Sequence, residues 1–234
     1  MAYNEIRQRI LDGRLAPGVR LVHRTLARVL GTSPNPIVLA LRMLERDGLV
    51  TNTPGLGACV RTWSPAEIID SYYIRAFHEA LAARLCAERH TPAEMAAIDA
   101  AHEAVKQSFD NDDDAGSSVL AELRLHVAIV RGTHCPDLER IFENLAIVHR
   151  CMTAFGITLN VPRLLGPAVR DIHVPMVEAI RARDMDAAET AAREHVEDSL
   201  ARNLAWIEKV SAALERGTSI RGTSSGINAV TGAC

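Results

Sequence analysis

Short helical runs followed by a β-hairpin pattern fill the first 60 residues, and few folds have this order. Two runs repeat apolar residues on one helical face and end near Gly13 and Gly31. A third begins with Pro34 and Pro36 in its first turn, where amide hydrogens have no helical partner. Its buried side is expected to contain Leu39, Leu41 and Leu44. The segment "LVTNTPGLGACV" then predicts two strands around a Pro-Gly turn, which completes a winged helix-turn-helix.

The rest of the sequence has the pattern of an all-helical bundle, so we predict a mainly α protein. Capping boxes at Ser64-Glu67 and Thr91-Glu94 mark two helix starts. Further helices are predicted near 117–132, 136–154, 165–183 and 186–212, the last opened by Asp186 with Glu189 as its capping partner. The predicted domains are a DNA-binding head (1–63), a helical domain (64–212) and a flexible tail (213–234).

Charge is divided unequally between these parts. Residues 1–65 hold nine arginines and four acidic residues, while the remainder holds 17 basic and 25 acidic residues. A basic head on an acidic body favours a polyanionic partner that touches only the head. The N-terminus lacks the pattern of a signal peptide, and no stretch reaches about 18 consecutive apolar residues. We therefore expect a cytoplasmic protein with no membrane partner.

Three histidines are predicted on apolar faces of different helices. Glu122 and His126 are four residues apart and share one face, while His173 and His195 lie among aliphatic residues of two later helices. Together they offer nitrogen and oxygen ligands that suit zinc, nickel, manganese or iron. The alternative for each histidine is a core imidazole bonded to a carbonyl. The sequence pattern leaves both interpretations open.

Arg75 and Glu79 also lie four residues apart, on a helix whose other side is formed by Ile74, Leu81 and Leu85. One interpretation is a solvent-facing ion pair, which contributes only a few tenths of a kcal/mol. The other is an arginine that faces a cavity, where its planar guanidinium binds a carboxylate through two hydrogen bonds.

Several segments resemble a known family. "IRQRILDGRLAPGVRL", "LARVLGTSPNPIVLALRMLERDGLV" and "GLGACV" resemble the winged-helix head of GntR-superfamily transcription regulators. "RAFHEALAARLCA", "ELRLH", "RDIHVPMVEAI" and "ARDMDAAETAAREH" resemble the all-helical FCD domain of the FadR-like branch. The resemblance covers about residues 4 to 212 in the family's order. It implies a homodimer that binds double-stranded operator DNA through its heads and a small organic acid in its helical domain.

The resemblance also implies residue roles. Many members bind a divalent metal through an acid, a histidine four residues later and two further histidines, which correspond here to Glu122, His126, His173 and His195. The family usually has Asp at the first place. Its recognition helix carries two arginines where this chain has Pro34 and Val38. The residues that remain at family DNA-contact places are Arg24, Ser33, Asn35 and the backbone of Gly55.

The leading hypothesis is thus a metal-containing, effector-responsive transcription regulator with no catalytic residue and with Arg75 as the effector-binding residue. One alternative is a metalloenzyme, because a histidine-rich site with an open position can activate water. Another is a sensor whose head has lost operator binding.

Overall fold

The computed structural model describes residues 1–55, 57–110, 115–158 and 171–215. Within these ranges the chain forms nine helices and one two-stranded sheet. The elements are α1 (Ala2–Leu11), α2 (His23–Val29), α3 (Pro34–Arg46), β1 (Val50–Thr53), β2 (Gly57–Val60), α4 (Pro65–Arg89), α5 (Pro92–Asp110), α6 (Ala115–Arg131), α7 (Pro136–Thr158), α8 (Val174–Arg181) and α9 (Met185–Glu215). The predicted fold class, a winged helix-turn-helix followed by a helical domain, is confirmed.

These elements form two compact units. The first contains residues 1–64 with the described parts of 150–161 and 209–234, and the second contains 65–149 with the described part of 162–208. The C-terminal ends of α7 and α9 therefore group with the first unit, whereas the division by sequence assigned them to the helical domain and, from residue 213, to the tail. In the described residues, no helix is long and apolar enough to cross a membrane.

The first unit is built on α3, which packs against α1, α2 and β1. Gly31 ends the turn after α2 with a φ of 61°, a conformation that glycine adopts without strain. The strands are antiparallel, and their register pairs Val50 with Val60 and Thr53 with Gly57. The helix-turn-helix and its hairpin therefore share one small aliphatic core. Its largest fully buried side chains are Ile6, Ile10, Leu15, Leu21, Leu26, Ile37, Leu44 and Leu49.

One expectation about the buried side of α3 is wrong. Leu41 and Leu44 are buried as predicted, but Leu39 is 63% exposed. At 100° per residue, a side chain at position 39 lies far around the helix from those at 37, 41 and 44, because the buried side is centred on Ile37, Ala40, Leu41 and Leu44.

The core of the second unit lies between α4, α5, α6, α8 and α9. Small residues on α4 and α9 contribute to this core, since Ala83, Ala87, Ala188 and Ala192 are fully buried. Larger side chains such as Ile98, Leu125 and Ile180 fill the space between them. This packing uses aliphatic helix faces, as the low aromatic content predicts.

Helix ends follow the predicted caps in one case and not in another. Thr91 and Glu94 form the predicted capping box, with the Thr91 amide donating to Glu94 at 2.8 Å and the Glu94 amide donating to Thr91 Oγ1 at 3.3 Å. At α9 the prediction is wrong, because Asp184 accepts the amide of Ala187 at 3.0 Å. Asp186 instead forms an ion pair with Arg84. The predicted helix segment 165–170 and the tail from 216 lie outside the described residues.

The capping box predicts a difference between two similar substitutions. Thr91→Ala removes a side chain that accepts a helix-terminal hydrogen bond, and we expect it to lower the free energy of unfolding by about 1 kcal/mol. Ser33→Ala is the matched control, since Ser33 lies at the N-cap of α3 without a side-chain cap bond. Denaturant titration of both variants measures the effect. Equal losses would show that the Thr91 bond adds nothing.

Candidate functional site

Three histidines meet inside the second unit. His126 lies on α6, His173 immediately precedes α8, and His195 lies on α9, and all three are buried. Their ring centroids are 5.3 Å apart for His126 and His173, 5.2 Å for His126 and His195, and 4.4 Å for His173 and His195. One ligand nitrogen from each ring lies within 4.8 Å of the others. The three predicted ligand histidines therefore converge, although His173 lies in the turn just before α8 and not on a helical face as predicted.

The hydrogen bonds expected for ordinary core histidines are missing at this cluster. Within the described part of the chain, both ring nitrogens of His173 and the Nδ1 of His195 are buried without a hydrogen-bond partner. His90 shows the contrast, since its Nε2 lies 3.1 Å from the carbonyl oxygen of Ile180. A buried polar group without a partner costs about 1–3 kcal/mol, so native structures rarely keep several together without a use. Nitrogen lone pairs aimed at a common point are the arrangement that binds a transition metal.

Burial also keeps two of these histidines, His173 and His195, uncharged. Desolvation, followed by repulsion from the other two imidazoles, holds the pKa of His173 well below its usual value. Desolvation and the neighbouring His126 lower the pKa of His195 to about 3. Neutral imidazoles are the form that binds metal ions. His173 and His195 are thus ready to accept a cation at neutral pH.

The carboxylate that contacts this cluster is Glu79, a residue that the sequence analysis did not assign to it. Its Oε2 lies 3.0 Å from Nδ1 of His126, but the two atoms are not aligned as a hydrogen bond, and Oε2 has no other partner. Glu122 is half-buried, and its charge contributes to the raised pKa of Arg75. Among the described residues, neither glutamate belongs to the group of ligand atoms within 4.8 Å of one another.

Arg75 and Glu79 form a buried ion pair, so the interpretation of a solvent-facing pair is wrong. Arg75 is 7% exposed and Glu79 is 3% exposed, and Nε of Arg75 donates to Oε1 of Glu79 at 2.8 Å. Burial alone raises the pKa of the Glu79 carboxyl, but attraction to Arg75 and then His126 outweighs it and brings the pKa well below its usual value. Arg75 also lies over the ring of Tyr72, 5.2 Å from its centre. A guanidinium and a carboxylate thus lie beside the histidines.

The other side of α4, opposite the buried ion pair, carries exposed apolar side chains. Ile74 and Leu81 of that side are exposed, whereas Leu85 is half-buried. Tyr73 and Phe77 lie on the same side and are also exposed, and Phe77 exposes 66% of its surface. We call these four exposed residues the α4 stripe. Its spacing at 73, 74, 77 and 81 keeps it on one helical face.

The residues assigned to DNA contact all lie in the first unit and are exposed. Arg24 is on α2, Ser33 and Asn35 lie at the start of α3, and Gly55 is at the tip of the hairpin. Gly55 has a φ of 82°, which the tight turn between β1 and β2 requires.

Comparisons with known proteins agree with this architecture. Residues 1–60 match the family described as bacterial regulatory proteins, gntR family, and residues 70–198 match the FCD domain. A probable D-xylose utilization operon transcriptional repressor of Paenarthrobacter nicotinovorans is 30% identical over 188 residues, which are 80% of each chain. The galactonate operon transcriptional repressor of Escherichia coli is 26% identical over 218 residues, covering 83% of this chain and 92% of that protein.

The fold has a similar counterpart among solved structures. McbR/YncC of E. coli superposes with a TM-score of 0.74 at 20% sequence identity, over 89% of this chain and 95% of that one. A winged head, a helical domain with a buried histidine cluster, and matches to both domain families lead to one conclusion. The chain belongs to the GntR family of bacterial regulatory proteins and is a DNA-binding transcription regulator with an FCD domain.

Proposed function

We propose that this regulator is controlled by a small organic acid that binds beside a divalent metal ion in its FCD domain. The observation that carries the proposal is the cluster of buried imidazoles at His126, His173 and His195, with three ring nitrogens that lack hydrogen-bond partners. A homodimer would bind operator DNA through Arg24, Ser33, Asn35 and the backbone of Gly55, which would place the protein in the cytoplasm. The acid would alter this binding.

The donor set suits a divalent transition metal. Three buried imidazoles favour zinc, nickel, manganese or iron over calcium or magnesium, which prefer oxygen ligands. When bound, such an ion supplies a positive charge that attracts the carboxylate of an organic acid. The sequence assigns Glu122 as the fourth ligand, and this remains part of the proposal.

Glu79 has a separate role in this proposal. Ligating histidines generally donate their second ring nitrogen to a carboxylate, which fixes the ring and its tautomer. Glu79 is the buried carboxylate that contacts His126, and its other oxygen accepts the Nε–H of Arg75. Glu79 would then orient His126 rather than bind the metal itself.

Arg75 is the proposed partner of the organic acid. It lies one helical turn from Glu79, which contacts His126, so a carboxylate bound by Arg75 would lie close to the metal site. Among the relatives, the galactonate operon repressor of E. coli is named for a sugar acid, a ligand that carries a carboxylate. Sugar acids are therefore the first candidates to test.

The α4 stripe supports the proposed homodimer. Exposed apolar side chains that share one helical face mark protein interaction surfaces. A twofold pairing of two antiparallel α4 helices about Phe77 would bring Tyr73 of one subunit to Leu81 of the other, because 73 and 81 are equidistant from 77. Such a dimer suits an operator with two half-sites.

The metal assignment predicts the metal content of two variants. The protein as purified and equilibrated with zinc or nickel should contain about one ion per chain, whereas His126→Ala with His173→Ala should contain almost none, since two of three imidazoles are lost. His134→Ala is the matched control, because His134 is exposed and pairs with Glu94 at 3.1 Å. Elemental analysis of all three proteins is the measurement. Unchanged metal in the double variant contradicts the site.

Substitutions of Glu122 and Glu79 distinguish their proposed roles by their effects on metal affinity. If Glu122 is a ligand and Glu79 orients His126, Glu122→Gln should weaken binding more than Glu79→Gln, for which about a 10- to 100-fold loss is expected. Competition with a coloured chelator measures both. A larger loss for Glu79→Gln would exchange the two roles.

Arg75→Ala should destabilise the free protein. It leaves the Glu79 carboxylate buried without its partner guanidinium, which costs roughly 3–5 kcal/mol. Arg75→Lys keeps the positive charge, so its free energy of unfolding should fall much less. Denaturant titration distinguishes them, and an unaffected Arg75→Ala protein would mean that Glu79 takes up a proton or gains water instead.

Arg75→Lys also tests the effector. Lysine supplies a charge without the planar fork that binds a carboxylate at two points, so galactonate and related sugar acids should raise the melting temperature less than in the original protein. Each shift is measured from that protein's own unliganded value. Equal shifts in both proteins place the acid elsewhere.

Phe77→Asp should convert a dimer into folded monomers. A carboxylate at the centre of the α4 stripe would be buried and unpaired in the proposed interface but solvated in the monomer. Ile141→Asp is the control, since Ile141 is an exposed apolar residue on α7. Sedimentation equilibrium gives the molar mass. A dimeric Phe77→Asp protein rules out this face.

A further inference from the structure

An exposed line of side chains along α3 combines an amide, an apolar group and two charges. Asn35, Leu39, Arg42 and Arg46 are spaced four, three and four residues apart, so they lie on one helical face, and all four are exposed. We call this line the recognition stripe. The buried residues Ile37, Ala40, Leu41 and Leu44 face the core of the first unit. The recognition stripe therefore lies on the exposed side of α3, opposite its buried side.

Leu39 is the residue in this line that the fold does not explain. Leu41 and Leu44 of the same helix are at most 4% exposed, but Leu39 exposes 63% of its surface. In the major groove, the apolar feature of a base pair is the methyl group of thymine, and apolar side chains contact it. Leu39 therefore has chemistry that suits an A·T pair and offers no hydrogen bond to a G·C pair.

Asn35 lies one turn closer to the start of α3. An asparagine amide donates to N7 and accepts from the N6 amino group of adenine, a pairing that guanine cannot reproduce because its O6 is an acceptor. In helix-turn-helix proteins, the first residues of the recognition helix contact base edges. Four residues advance the helix by about 6 Å, close to two base-pair steps of about 3.4 Å. Asn35 and Leu39 can thus contact base pairs about two steps apart.

Arg42 and Arg46 lie in the second half of α3. Positively charged side chains at the end of a recognition helix bind phosphates, which adds affinity and salt dependence but no direct sequence information. The first half of α3, from Pro34 to Ala40, contains no arginine or lysine, so it lacks the side chains that commonly bind guanine. The two halves of the helix therefore differ in chemistry.

We infer that α3 selects A·T base pairs, with Asn35 on adenine and Leu39 against thymine methyl groups, while Arg42 and Arg46 hold the DNA backbone. This inference rests on the DNA binding of the head and names the base composition that it recognises. It explains how a recognition helix without arginine in its first half can discriminate between sequences.

Selection from a pool of random duplex DNA by the full chain tests this inference. The enriched half-sites should contain A·T pairs about two steps apart, and changing one of them to G·C should reduce affinity roughly 10-fold. Asn35→Ala should remove the preference at one of these pairs and Leu39→Ala at the other. Arg42→Ala is the matched control, and it should weaken binding to all sequences alike. The slope of log affinity against log salt concentration should become shallower by the contribution of about one phosphate contact.

Two results would overturn the inference, and only the second would also contradict specific operator binding. In the first, the enriched half-sites have G·C at the helix contacts, or the preferences survive in both the Asn35→Ala and Leu39→Ala proteins. This result would reject the proposed A·T recognition but leave operator binding intact. No enrichment, with equal affinity for scrambled DNA, would show that the head does not discriminate at all. That second result would reject both the proposed A·T recognition and specific operator binding.

Discussion

Three buried imidazoles that lie together without enough hydrogen-bond partners are the constraint on which the second unit depends. Desolvation keeps His173 and His195 neutral, and among the described residues both ring nitrogens of His173 and Nδ1 of His195 have no hydrogen-bond partner. The fold therefore bears an energetic cost at this point that a bound cation would remove. Binding that satisfies buried groups stabilises the folded state by mass action, so metal occupancy and the stability of the FCD domain should be linked.

The Arg75–Glu79 pair connects this cluster to a second charged group. One carboxylate oxygen accepts the guanidinium Nε–H and the other contacts His126, so a single side chain touches both the proposed acid-binding residue and a proposed metal ligand. An acid that draws Arg75 toward itself would weaken its bond to Glu79 and change the charge beside His126. Metal and acid would then influence each other's affinity, and by linkage that influence must be mutual.

The sequence predicted which helices contribute functional residues better than it predicted which side of each helix is buried. The periodicity around His126, His173 and His195 was sufficient, because each histidine lies among apolar neighbours that must be buried. On α4 it was not, since both sides of the helix carry apolar residues, and the buried ion pair has the same spacing as a surface pair. Glu79 was missed as a contact of His126 because 47 positions separate them, a distance that no local pattern spans.

With the proposed base preference, the composition of the recognition stripe would make the proposed dimer more important for this regulator than for one with arginines at the start of α3. An amide and a leucine discriminate less strongly than two bidentate arginines, so one half-site provides little selectivity against the many competing sites of a genome. Contacts at two half-sites add their discrimination, whereas phosphate attraction acts on every sequence. An effector that prevents both heads from binding together would therefore remove most of the sequence selectivity while leaving much of the nonspecific affinity.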